Sequence, residues 1–125
     1  MLEFSYNVAT TPEAPVLPVL VSQAWGSGLP MRMHLEIDTG SFITAIPVSK
    51  LESVSARKVD FLPVVDFKGN RSLAPVYEVK LELSDLVLPC VRVIGLNSAY
   101  ALLGLDILNQ LLATLDGPRR ITRIG

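Results

Sequence analysis

Nine prolines and eight glycines punctuate 125 residues at short intervals. Long helices have no room between them, and the gaps are filled with Val, Ile and Leu, which suit a pleated surface. Residues 31–37 alternate strictly, so Met31, Met33, Leu35 and Ile37 share one face of a strand and Arg32, His34 and Glu36 the other. Residues 16–21 read as a strand before it, with a turn at Gly26, Ser27 and Gly28 between the two. Residues 59–67 and 73–83 are β-prone runs on either side of Lys68, Gly69, Asn70 and Arg71, the pattern of a long hairpin. Residues 42–46 and 86–94 add strands, and residues 119–124 a last one after the turn at Asp116, Gly117 and Pro118. Residues 47–54 predict a short helix with Val48, Leu51 and Val54 inward. Ile107, Leu108, Leu111 and Leu112 fall at helical spacing, with Asp106 placed as N-cap. The expected fold class is all-β: a single domain over residues 16–125 with one or two short helices. A flexible N-terminal arm is expected over residues 1–15, where Thr10-Thr11-Pro12-Glu13-Ala14-Pro15 carries no periodicity.

Composition narrows the chemistry. Half of the residues are apolar and the formal charge is −1, so no field gathers nucleic acid or anionic lipid, and neither is expected as a partner. The apolar runs fall short of the roughly 20 residues that span a bilayer. The first residues lack the basic start and apolar run of a secretory signal. A lone cysteine, Cys90, forms no internal disulfide, and a reducing, cytoplasmic setting is expected. With one histidine and one cysteine, neither a His-based zinc site nor a Cys/His nucleophile pair can be assembled, so no metal or cofactor is expected. His34 reads as a surface residue on the polar face of its strand, and Cys90 as a small buried hydrophobe.

The chemistry-bearing feature is Asp38-Thr39-Gly40, an acid that an apolar strand delivers onto a tight turn. A carboxylate held at a strand end by turn amides and a neighbouring hydroxyl such as that of Ser41 is kept ionised. The bland alternative is an Asx-type turn with no further role. Residues 101–108, Ala-Leu-Leu-Gly-Leu-Asp-Ile-Leu, supply a second motif: two apolar residues and a glycine leading into a helix. In this order and spacing, over residues 16–124, the chain resembles the retropepsin family, the retroviral-type aspartic proteases and their cellular relatives.

That resemblance implies a closed β-barrel acting as a homodimeric aspartic endopeptidase on peptide or protein substrates, with one catalytic acid, Asp38, from each copy. Thr39 would bond across the dimer axis, Gly40 would let substrate backbone approach, and Ser41 would support the carboxylate. Phe67, Lys68, Gly69 and Asn70 would form the flap over bound peptide, Gly69 its hinge or tip. Walls rich in Val, Ile, Leu and Phe suggest apolar residues beside the cut. Asp106 reads as a helix cap, not a second catalytic acid, and Asp66 as solvent-facing. Many viral members pair an acid four residues after the catalytic aspartate with an arginine after the later glycine. Here those positions are Phe42 and Leu105, and the two are expected in contact, because losing both charges together avoids an isolated buried one. Arg119, Arg120 and Arg123 read as a basic edge that discourages strand addition. Trp25 fits a lid, a dimer contact or simple exposure equally. The rival function is a dimerisation or peptide-binding module with this fold and no turnover.

Overall fold

The computed structural model describes residues 2–26, 28–66 and 68–125. Along the chain run β1 (Leu2–Ser5), β2 (Val16–Gln23), β3 (Met31–Ile37), β4 (Ala45–Pro47), α1 (Val48–Ser53), β5 (Arg57–Val65) and β6 (Arg71–Leu83). They are followed by β7 (Leu86–Leu96), β8 (Leu102–Leu103), α2 (Leu105–Leu108), β9 (Ala113–Asp116) and β10 (Ile121–Ile124). Strands β2, β3, β8, β4, β7 and β6 are hydrogen-bonded in that order, and a further β2–β6 pairing closes these six into a barrel. β5 lies outside the closure as the outer arm of a hairpin with β6.

Alternation builds the core. Leu17, Val19 and Val21 of β2, Met33 and Leu35 of β3, and Val79 and Leu81 of β6 point inward with Ile46, Val93 and Leu103. α1 closes one side with Leu51 and Val54, as its pattern predicts, and Ile107 of α2 is buried in the same cluster. Burying each such side chain contributes about 1.5–3 kcal/mol, so packing alone holds the chain without a disulfide. Gly95 is required by this packing: a Cβ there would stand 2.8 Å from Val48 Cγ2 and 2.9 Å from Tyr77 Cε1. Burial, with a smaller contribution from the Glu52 charge, raises the pKa of the Tyr77 phenol.

A second, three-stranded sheet has the order β1-β10-β9. Residues 2–5, inside the segment read as an arm, pair with β10, and Asn7 and Ala14 bridge the stretch between β1 and β2. Arg123 ties the sheet across its outer face, reaching Glu3 at 3.3 Å and Asp116 at 3.2 Å. Arg120 meets Glu13 at 3.2 Å. The expected basic edge is thereby corrected: β10 is the central strand, and both Arg123 within it and Arg120 just before it are ion-paired.

Other expectations change for local reasons. Of residues 42–46 only the last two are strand, because the main chain of 42–44 bonds to α2 and β7 instead of extending a ladder. The helix expected from Asp106 onward is a single turn; the Leu112 carbonyl accepts the Gly125 N–H at 2.9 Å, which draws the chain into β9, a strand the helical spacing concealed. Leu112 is accordingly 71% exposed. The N-cap position belongs to Gly104, without a side-chain cap, and Asp106 sits inside the helix with a different task.

Candidate active site

Asp38 immediately follows β3, which runs parallel to β8. Its N–H donates to Leu103 O at 3.0 Å, so the acid is the last residue held by that pairing. Its Oδ1 accepts the Gly40 N–H at 2.9 Å, and the Ser41 N–H closes the turn on Asp38 O at 3.2 Å. The carboxylate is thus oriented by its own loop, as an aspartate opening an Asx turn is. Asp38 and Ser41 are half-buried, while Thr39 and Gly40 are exposed at the loop tip. A Cβ on Gly40 would lie 3.2 Å from Asp38 Oδ1, so glycine leaves that oxygen uncrowded.

The Ser41 hydroxyl is used differently from expectation. It donates to Ile43 O at 2.8 Å, so its single proton is engaged within the loop and the support to the carboxylate comes from the Gly40 amide.

Two residues that sequence reading assigned no such part hold the loop in place. Thr44 is fully buried, and its N–H donates to both Asp106 carboxylate oxygens at 3.1 Å. Its hydroxyl donates to Asp106 Oδ1 at 2.8 Å and accepts the Gly104 N–H at 3.1 Å. Asp106 is therefore an inter-segment clamp. Beside it the Leu105 N–H donates to Ser41 O at 2.8 Å and the Asp106 N–H to Phe42 O at 3.1 Å. The two segments approach so closely that a Cβ on Gly104 would stand 2.8 Å from the Ile43 carbonyl carbon and 2.9 Å from Ser41 O and Thr44 N. The available signal was a threonine set among Ile43, Ala45 and Ile46, since a buried hydroxyl needs a partner. The same bonds set the main chains of Phe42 and Leu105 side by side, yet the Phe42 ring is 78% exposed.

The β5–β6 hairpin ends in a turn organised by Asp66, whose carboxylate accepts the N–H of Lys68 and of Asn70, each at 2.9 Å, and the Asn70 amide at 3.3 Å. The Asn70 main-chain bond is the first cause of a pKa held below the ordinary aspartate value. Gly69 has φ +86°, a left-handed conformation that favours glycine at this tip. Phe67 lies outside the described residues. The arms carry exposed apolar residues, Phe61 and Val65 on β5 and Leu73 on β6.

The remaining candidates stay apart from this site. His34 is exposed on β3, Cys90 is a half-buried free thiol on β7, and Trp25 is exposed with its N–H on Pro89 O at 3.1 Å. A hollow of about 360 Å³ lies beside Leu83, Leu111 and Ile124, and one of about 570 Å³ beside Val48, Glu52 and Leu96; neither is lined by Asp38. No helix among the described residues is long and apolar enough to cross a membrane.

No family model matches the sequence, and no curated protein does. Solved structures do match the fold. EIAV protease complexed with the inhibitor HBY-793 superposes with a TM-score of 0.65 at 16% identity, covering 86% of this chain and 93% of that one. A retropepsin-like aspartic protease from Rickettsia conorii superposes with a TM-score of 0.62 at 9% identity, covering 97% of this chain and 86% of that one. The expected retropepsin-like β-barrel is the fold of this chain.

Proposed function

We propose that this chain is one half of a homodimeric aspartic endopeptidase in which the Asp38 carboxylates of two copies activate a water between them. The observation that carries the reading is the placing of an oriented, half-buried acid at a strand end, on a retropepsin-like barrel whose sequence holds no second Asp-Thr-Gly or Asp-Ser-Gly. Of six aspartates only Asp38 is followed by Thr-Gly or Ser-Gly, so one chain supplies one acid. A second copy on a two-fold axis supplies the other and brings both Thr39 residues to the axis.

Two carboxylates so close share one proton. The ionised one takes a proton from water as the water oxygen bonds to the scissile carbonyl carbon, and the protonated one donates to the carbonyl oxygen. Collapse of the tetrahedral species breaks the carbon–nitrogen bond, with a proton delivered to the leaving amine. The peptide lies extended, paired through its main chain, beneath a flap formed by the β5–β6 hairpin with Lys68, Gly69 and Asn70 at its end. Exposed Phe42, Phe61, Val65 and Leu73 favour apolar side chains in that peptide. A lone cysteine suits the reducing cytoplasm.

The test is digestion of a peptide library by wild type and Asp38→Asn. Products are expected from wild type alone, activity per chain should fall on dilution, and excess Asp38→Asn chains should poison wild type through mixed dimers. Full specific activity in a species shown by sedimentation to be monomeric defeats the proposal. Absence of products from a sedimenting dimer favours the binding-module alternative.

A further inference from the structure

We infer that the hollow between β3 and residues 99–101 is a binding site for a small organic phosphomonoester, whose phosphoryl group is held by Arg32, His34 and Lys50. The inference stands apart from the peptidase reading: it uses neither Asp38 nor a second copy of the chain.

Strand phase opens one wall of the hollow. The Glu36 N–H donates to Ala101 O at 2.9 Å and the Ile37 N–H to Pro15 O at 3.0 Å, so the even-numbered residues of β3 direct their main-chain groups away from β2. Pro18 stands opposite His34, a position from which β2 donates nothing to β3. β8, the neighbour on the other side, pairs with β3 only at Glu36 and Ile37. The main-chain N–H groups of Arg32 and His34 therefore point past the end of β8 with no strand beside them. They face the gap that Ala99 and Ala101 bound from across, a hollow of about 420 Å³.

Charge says what the hollow takes. Arg32 and His34 line it from β3 and Lys50 from α1, and among the described residues no carboxylate lines it. Elsewhere the chain places its acids against its bases: Lys80, Arg92, Arg120 and Arg123 each meet a carboxylate within 4.0 Å. Arg32, His34 and Lys50 enter no ion pair among the described residues, although the chain holds twelve acids against eleven lysines and arginines. Glu36 follows on the same strand but is not part of the lining, and Glu82, which shares another hollow with Arg32, is engaged by Lys80 at 3.0 Å. Basic groups gathered this way repel one another unless an anion sits between them. A guanidinium fits a phosphoryl group through two parallel N–H bonds, and an ammonium adds a point charge. The imidazole N–H and the two open amides supply further donors to its three terminal oxygens. The rest of the lining decides against a bare ion. Met31, Pro47 and Ala101 form an apolar wall, and the volume lies in the range of small-molecule sites, about 300–1,000 Å³. An organic body on the phosphate fills that part.

The test is titration of the full chain with phenyl phosphate and with inorganic phosphate at fixed ionic strength, followed at the main-chain amides by NMR. Saturable shifts at Arg32, His34 and Ala101 are expected with phenyl phosphate, at least tenfold tighter than with inorganic phosphate, together with a raised unfolding temperature. Arg32 and Lys50 are exposed, so their substitution leaves the core intact. Arg32→Gln and Lys50→Gln should each weaken binding at least tenfold, and Arg119→Gln, away from the hollow, should leave it unchanged. Equal affinity for the two probes overturns the organic body, and tighter binding of a phosphoserine peptide than of phenyl phosphate overturns the small-molecule assignment. Shifts that stay linear to about 10 mM, or that spread equally to Arg119 and its neighbours, overturn the site itself. Wild-type affinity in Arg32→Gln or Lys50→Gln does the same.

Discussion

The loop that carries Asp38 and the turn that ends the β5–β6 hairpin are each built on an aspartate accepting main-chain N–H groups one short step along the chain. They differ in where the rest of their support comes from. The Asp66 carboxylate accepts from Lys68 and Asn70, and all three residues are exposed. The Asp38 loop is bonded to residues about sixty positions away, through Thr44 to Gly104 and Asp106, and rests on the barrel core. The contrast teaches that one local motif can be supported in two ways. The Asp38 loop is braced by distant, buried groups, whereas the Asp66 carboxylate is satisfied by its immediate neighbours.

The largest test breaks the brace by volume. Gly104→Ala places a methyl among three main-chain atoms at 2.8–2.9 Å, and should lower stability by about 3 kcal/mol in denaturant unfolding. A change inside about 0.5 kcal/mol would show that the two segments separate freely. Next comes the hydrogen-bond clamp. Asp106→Ala leaves the buried Thr44 N–H and hydroxyl without their acceptor and should cost about 2 kcal/mol, Asp106→Asn less. Combined with Thr44→Val, the loss should fall short of the sum of the single losses, since the partners share one network; simple additivity would break the claim that they act as a unit. Ser41→Ala removes one bond inside the loop and should cost about 1 kcal/mol, with the acid limb of the pH profile in place, because the hydroxyl is turned to Ile43 and not to Asp38.

The smallest effect belongs to the hairpin tip. Asp66→Ala should leave global unfolding unchanged while amide exchange at Lys68 and Asn70 speeds up. The lowered pKa of Asp66 gives the sign with pH: the turn favours the ionised form. Its contribution is complete above the ordinary aspartate value and disappears as the pH falls through the lowered one. A carboxyl NMR titration of Asp66 with a midpoint at or above about 4 would contradict this.

Much of the barrel was legible because its signal is local. The alternation of Met31 to Ile37 gives a strand with those bounds, and Val48, Leu51 and Val54 give α1. Gly69 marked the hairpin tip for the same reason: a left-handed residue there is a local need. What escaped reading depends on partners far along the chain. Leu111 and Leu112 keep helical spacing, but Gly125 claims the Leu112 carbonyl, and β9 appears where a helix was expected. Asp106 stands where a cap would, yet its acceptor capacity goes to Thr44, which no spacing rule connects to it. Arg123 suggested a strand edge, and only the pairing of β1 with β10 shows it to be central.

The bond between Thr44 and Asp106 spans 62 residues, and that separation governs the order in which the molecule can be assembled. Closing such a long loop carries an entropic penalty that a hairpin turn escapes, and contacts of this range slow folding. During synthesis Asp38 leaves the ribosome well before Gly104 and Asp106 exist, while the β5–β6 hairpin can zip within microseconds of its own completion. A nascent or truncated chain ending before Gly104 therefore carries the acid without its frame.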